Sequence, residues 1–281
     1  MNFDQRYSST PGSAEIREFQ KAVIDYYRRQ GRVFPWRERI SPYRTYVSEV
    51  MLQQTQTHRV EPKFNTWMDA VPDFKTLAAL STEKLLTLWQ GLGYNRRALN
   101  LRRAASVIVD EWGGELRNSP DELLTLPGIG PATAASICAF AFNAPVVFIE
   151  TNIRRVFIHF FFEKHEQVSD KEILPLAERC LYRESPRDWY NGMMDIGTLL
   201  KTKVPNPNRR SRHYTKQAAF EGSNRQARGA ILKALQGRPG LDAYGLSKAT
   251  GIDYERILKA AAQLETEGFI AAEGDTYGLR K

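Results

Sequence analysis

Cysteine is scarce: Cys138 and Cys180 are the only two in 281 residues. That excludes a disulfide framework and any four-cysteine iron–sulfur or zinc site. Long apolar runs are also missing. The most apolar stretch, Thr133 to Ile149, is interrupted by Asn143 and Pro145 and is too short to span a bilayer. Met1 to Glu15 is polar and lacks the apolar centre of a signal peptide. A cytoplasmic, nucleoid-associated protein without membrane contact is therefore expected. Acidic residues are outnumbered, 32 against 40 Lys and Arg, giving +8 and a pI near 9.4. The imbalance favours a polyanionic partner. Aromatic residues are not short: five Trp, 14 Phe and 12 Tyr supply a core and exclude disorder along most of the chain.

Strand patterns are nearly absent before residue 265, whereas helical periodicity is everywhere. Residues 14–29 place Ile16, Phe19, Val23 and Tyr26–Tyr27 on one face, with charges opposite. Similar segments are predicted over 43–56, 60–69, 74–79, 82–90, 95–110, 120–126, 131–142, 151–161, 170–182, 187–200 and 225–236. Phe34-Pro35, Val71-Pro72, Gly113-Gly114, Pro127-Gly128 and Ala144-Pro145 separate them. The body is predicted to be all-α.

Between Lys201 and Lys216 the chain has six Lys or Arg, two prolines and no acid. This reads either as an extended basic segment that meets phosphate through Arg209, Arg210 and Arg212, or as a solvated linker. Beyond it, residues 222–281 show three helical runs and then FIAAEGDTYGLR, which alternates around Gly274-Asp275 as a hairpin does. Three helices and a hairpin resemble a winged-helix module, with 253–267 as its recognition helix. Contact with DNA and contact with protein are equally open for it.

LPGIGPATAASI (126–137) carries Gly128 and Gly130 between two helical runs. Two glycines at that spacing permit a tight turn, and their bare N–H groups stand where the next helix begins, a ready anion site. By itself this does not separate a phosphate-gripping hairpin from an ordinary helix connection. The rest of the sequence does. Taken with PYRTYVSEVMLQQTQTHRVEPKF (42–64), LWQGLGYNRRALNL (88–101), FIETNIRRV (148–156) and NGMMDIGTLL (191–200), it resembles the helix–hairpin–helix DNA glycosylases, and among them the MutY-type adenine DNA glycosylases. The likeness covers roughly residues 20–220.

The resemblance implies a two-domain helical body, with residues 35–145 forming a six-helix domain that carries the hairpin. Residues 1–34 with 146–221 form a flanking helical domain. A base flipped out of duplex DNA would enter the cleft enclosed by the two. Glu49 matches the family's glutamate that protonates adenine. Among Val47, Val50, Met51 and Leu52, a partly buried carboxyl with a raised pKa suits that task; the other reading is an exposed helical carboxylate. Gln53 and Gln54 would probe the base stack, and Tyr94 would wedge beside the strand. A core tyrosine is the alternative for Tyr94. Arg96 and Arg97 would meet phosphate or face solvent. Asn152 would hold neighbouring backbone or a phosphate, and Asp195 would orient a helix end.

Four departures bear on what carries over. Glu150 stands where the family has an aspartate that stabilises the sugar cation, which adds about 1.5 Å of reach where a shift of about 1 Å can cost about 10²-fold. Glu150 also precedes a helix, so a dipole-favouring charge is its other reading. Ala132 stands where bifunctional relatives carry a Schiff-base lysine, so lyase chemistry is disfavoured. Lys201, Asn208, Ser211 and Gln217 stand at the family's four cluster cysteines, so neither metal nor cofactor is expected. The family's C-terminal domain, which reads the base opposite adenine, is replaced by the winged-helix-like module. The implied function is a monofunctional, monomeric glycosylase acting on a mismatch or lesion in double-stranded DNA, most simply on adenine. A glycosylase for another base and a weakly catalytic, structure-specific DNA-binding protein stay open.

Overall fold

The computed structural model describes residues 2–215 and 219–280. In chain order the elements are α1 (Ser13–Gln30), α2 (Pro35–Glu38), α3 (Pro42–Leu52), α4 (Thr57–Ala70), α5 (Phe74–Ala78), α6 (Thr82–Trp89) and α7 (Arg96–Trp112). Then follow α8 (Pro120–Leu123), α9 (Pro131–Phe142), α10 (Thr151–Phe161), α11 (Asp170–Cys180), α12 (Pro186–Lys203) and α13 (Asn224–Gly237). The chain ends with β1 (Leu241–Asp242), α14 (Ala243–Thr250), α15 (Tyr254–Thr266), β2 (Ile270–Glu273) and β3 (Thr276–Leu279). The all-α body and the C-terminal module of three helices and a hairpin are as expected. Among the described residues, no helix is long and apolar enough to cross a membrane.

Two compact units form, Met1–Glu49 with Leu116–Lys216 and Val50–Glu115 with Gln217–Lys281. This differs from the boundaries expected from sequence. The hairpin region folds with the terminal helices, and the C-terminal module folds with α4–α7. Composition marks linkers but does not reveal which distant segments share a core, and that is why the two divisions differ.

In the first unit, Phe19 of α1 is fully buried and packs edge-on against Trp189 of α12 at 5.6 Å and Phe161 of α10 at 4.9 Å. Two glycines let α12 come close to its neighbours. A Cβ on Gly192 would lie 2.9 Å from Val23 Cγ1, and one on Gly197 would lie 2.5 Å from Asn152 O. In the second unit, Trp67 and Trp89 meet edge-to-face at 5.8 Å. Its module packs Ile231, Leu246, Ile257, Leu264 and Phe269, all fully buried. The sheet runs β1-β3-β2, both pairs antiparallel. The two-residue β1, paired through Leu241 to Tyr277 and Asp242 to Thr276, was not foreseen because it is too short to show alternation.

Candidate active site

Glu49 lies one turn from the end of α3, and its Oε2 is 2.5 Å from Ser136 Oγ on α9. Ser136 also reaches Thr133 O, at 3.0 Å. A serine hydroxyl has one hydrogen to give. That hydrogen is directed at both acceptors, so Ser136 is the donor to the Glu49 carboxyl. Burial drives the Glu49 pKa up to about 7, and Glu150 adds to the rise, against the opposing pull of Ser136 and Arg37. The residue keeps some accessible surface, but its carboxyl is enclosed, and burial dominates.

Glu150 is the N-cap of α10. Its extended backbone (φ −125°, ψ −178°) lets the side chain fold back so that Oε1 accepts from the N–H groups of Asn152 (2.5 Å) and Ile153 (2.7 Å). Aspartate does this readily and glutamate rarely does; here the extra methylene is taken up by the fold-back. Oε2 accepts from Asn152 Nδ2 at 3.3 Å. Burial raises the Glu150 pKa, opposed by those two N–H groups and by Arg155 and Arg154. Asn152 is a brace rather than a hand held out: its Oδ1 accepts from Arg155 Nη1 (2.8 Å), which also donates to Gly197 O (2.5 Å).

Asp195 of α12 is almost fully buried and receives Arg32 through its N–H (2.8 Å) and Nε (2.7 Å), and Arg37 through both Nη atoms (2.9 and 3.0 Å). It therefore ties the α1–α2 connection to α12, as its structural reading supposed. Sequence reasoning missed Ser136, Arg37 and Arg155. Ser136 could have been found as one of only two hydroxyl residues, with Thr133, in the apolar run of α9; the two arginines carry no such mark.

The hairpin residues fall in the same unit. Gly128 has φ +80°, which a side chain tolerates poorly, and Gly130 caps α9 with Pro131 in its first turn. Gly128 is exposed. Gln53, Gln54, Tyr94 and Arg96 belong to the second unit. Gln54 (φ +55°) ends α3 earlier than residue 56, and Tyr94 (φ +47°) sits in the left-handed region where strain concentrates at working turns. Arg96 is exposed. Arg97 neither faces solvent nor is free for phosphate: its guanidinium donates to the carbonyls of Val50 (2.8 Å), Met51 (2.9 Å), Gln53 (2.6 Å) and Gly93 (3.0 Å), stitching the two turns together.

The basic segment is packed rather than extended. Lys201–Lys203 finish α12, and Pro207–Arg210 form a 3-10 turn. Arg210 donates to the carbonyls of Phe162, Glu163 (2.7 Å) and Ile158 (3.2 Å), closing the end of α10, and Arg212 Nε donates to Gln167 O at 2.6 Å. Of the three arginines expected at DNA, only Arg209 is exposed with no such tether. Asn208, at a cluster-cysteine position, is buried and donates to Thr151 O at 2.9 Å. Ser211 Oγ accepts from His213 N–H at 3.1 Å, and Gln217 lies outside the described residues. None of the four positions offers a thiolate, and Asn208 and Ser211 are committed to other bonds, so the described positions do not fit a cluster.

Residues 47–180 match the HhH-GPD superfamily of base excision DNA repair proteins. The chain is 33% identical to the adenine DNA glycosylase of Buchnera aphidicola over 66% of its length and 53% of that protein. It is 41% identical to that of Mycolicibacterium smegmatis over 48% of its length and 46% of the relative. Against the adenine DNA glycosylase of Mycobacterium tuberculosis it is 30% identical, over 76% of this chain and 77% of that one. It thus spans about half the length of the first two. A thermostable thymine-DNA glycosylase superposes with a TM-score of 0.61 at 21% identity, covering 69% of this chain and 91% of that one. An endonuclease III bound non-covalently to DNA gives 0.55 at 18%, covering 70% and 91%. At those identities the superpositions speak for the fold.

Proposed function

Because the chain belongs to the HhH-GPD superfamily of base excision DNA repair proteins, and within it to the MutY-type adenine DNA glycosylases, we propose that it is a monofunctional glycosylase. Its substrate would be adenine mispaired in double-stranded DNA. One observation carries the reading: two carboxyls of one compact unit have environments that assign them different work. Burial lifts the Glu49 pKa to about 7, so the carboxyl has a proton to give near neutrality, and Ser136 donates to it. Burial raises Glu150 as well, but two backbone N–H groups at a helix start, with Arg155 and Arg154, oppose that rise and favour its anion.

In the reaction Glu49 gives its proton to a ring nitrogen of the flipped base, and the C1′–N9 bond breaks with its electron pair leaving on adenine. The Glu150 carboxylate faces the cationic sugar that results. A water then adds to C1′, and its proton returns to a carboxylate. Ala132 cannot form a Schiff base, so the strand is left uncut at the abasic site. The protein would act as a monomer at the nucleoid.

The test is a panel of duplexes, each with one lesion or mismatch, assayed for abasic sites. Release of adenine alone is expected; release of a deaminated purine, uracil or thymine instead would reassign the base. Glu49→Gln should abolish release under single-turnover conditions while leaving duplex binding in place. More than about a tenth of the original rate would contradict the acid, because general acid catalysis is worth about 10²–10⁴-fold.

A further inference from the structure

We propose that α13, the first helix of the C-terminal module, grips the phosphate backbone of duplex DNA beside the Tyr94 turn; the winged-helix likeness made α15 the recognition helix and left its contact with DNA open. The second unit contains an open cavity of about 840 Å³, with Gln53, Tyr94 and Arg96 on one side and Arg225, Arg228 and Lys233 on the other. Around it stand six cations (Arg59, Arg96, Arg97 and these three) and a single carboxylate, Glu267. An excess of five positive charges in one concavity suits a polyanion and repels a cation.

The contribution of α13 follows from its period. Residues 225, 228, 229, 232, 233 and 236 line the cavity, a spacing of three and four that puts them on one helical face. Ala227, Ile231 and Leu235 turn the other way and are buried. The helix carries three basic residues and no acid, whereas α15 balances Arg256 and Lys259 with Glu255 and Glu265. The face also reaches the turn itself: Arg225 Nη1 donates to Tyr94 Oη at 2.7 Å, with its guanidinium 5.6 Å from the ring centre. Arg97 stands at 5.6 Å from the same ring. Arg225 is thus a positioning residue for Tyr94, and Lys233, which is exposed, is the cation best placed to meet a phosphate.

The inference rests on the glycosylase reading for its choice of duplex DNA, and its test separates the two. Gly229 lies on the cavity face, and a Cβ there meets nothing within 4 Å. Gly229→Glu and Gly229→Lys therefore change the charge of the wall without a clash, and both should hold or raise the melting temperature, since glycine is a poor helix residue. Binding of the full chain to a fluorescein-labelled mismatched duplex is followed by anisotropy across a salt series. Glu should weaken binding and Lys should tighten it. Lys233→Ala should reduce the slope of log K against log salt by about 0.9, the release of one phosphate contact.

Equal shifts for the two Gly229 variants, or no shift in either, would overturn the proposal. So would a slope that Lys259→Ala reduces and Lys233→Ala does not, which would return the contact to α15. A charge-sign effect seen only with single-stranded RNA would overturn the assignment to DNA. Base release by the unaltered protein is read on the same duplexes: its absence beside an intact charge-sign effect sinks the glycosylase reading and leaves this surface standing.

Discussion

Glu150 shows why a residue's neighbours matter more than its motif position. One carboxylate oxygen caps α10 and the other is directed by Asn152, so the charged group serves the helix and the site together. Glu150→Gln keeps an oxygen for the cap but loses the charge. Its rate should fall at least about 10²-fold, the scale of one lost electrostatic stabiliser, while its stability near neutral pH should hold, because burial already disfavours the Glu150 charge. Glu150→Asp should keep the cap and withdraw the second oxygen, slowing release; a faster Asp variant would mean that the pocket is shaped for aspartate. Single-turnover rates beside melting temperatures decide this. Ser136 gives a separate prediction. Its hydrogen bond favours ionised Glu49, so Ser136→Ala should raise the Glu49 pKa and move the alkaline fall of the base-release profile to higher pH. An unmoved limb would remove Ser136 from the site.

At the scale of elements, the helices were readable in the sequence to within a few residues, because amphipathic spacing and turn residues act locally. Glu49, the hairpin glycines and the helix start at Glu150 could be placed for the same reason. What could not be read depends on contacts far apart in sequence: Ser136 meeting Glu49 across 87 positions, or Arg210 closing α10 from 48 positions away. The carbonyl partners of Arg210 and Arg212 were missed on this account, since a charge run looks the same whether it faces phosphate or caps a helix. The close approach of α12 to α10 is another such contact, and it can be tested. Gly197→Ala puts a methyl 2.5 Å from Asn152 O, so α12 must move from the residue that braces Glu150. Stability should drop by about 1–3 kcal/mol, the usual cost of overpacking, and base release per folded molecule should drop as well. Gly192→Ala, crowding Val23 on α1, should cost stability alone. If both variants spare the rate, the α10–α12 spacing does not set the site.

For the whole molecule, the same electrostatics that prepare the acid fix the pH at which the fold is most stable. A carboxyl whose pKa is higher folded than unfolded contributes stability fully below its unfolded value and loses it as pH rises through the folded one. Glu49, raised from 4.5 to about 7, is of this kind, and Glu150 shifts in the same direction. Asp170 behaves oppositely. Burial alone would raise it, but Arg154, at 2.6 and 2.7 Å, outweighs burial and holds it below 3.8, so its contribution is lost as pH falls. Asp73, lowered by the Thr76 N–H, adds to the acid side. The melting temperature should therefore peak in mildly acid solution and decline between about pH 5 and 8. Glu49→Gln removes one titrating group from the alkaline side. It should match the unaltered protein near pH 5 and exceed it near pH 8, while releasing no base at either. A buried acid whose pKa is raised toward neutrality gives up stability as it ionises, and on the proposed function the variant that recovers the stability would be the one that releases no base. Parallel melting curves across that range would show that Glu49 titrates as an ordinary surface carboxylate and would remove the physical basis for its role as the acid.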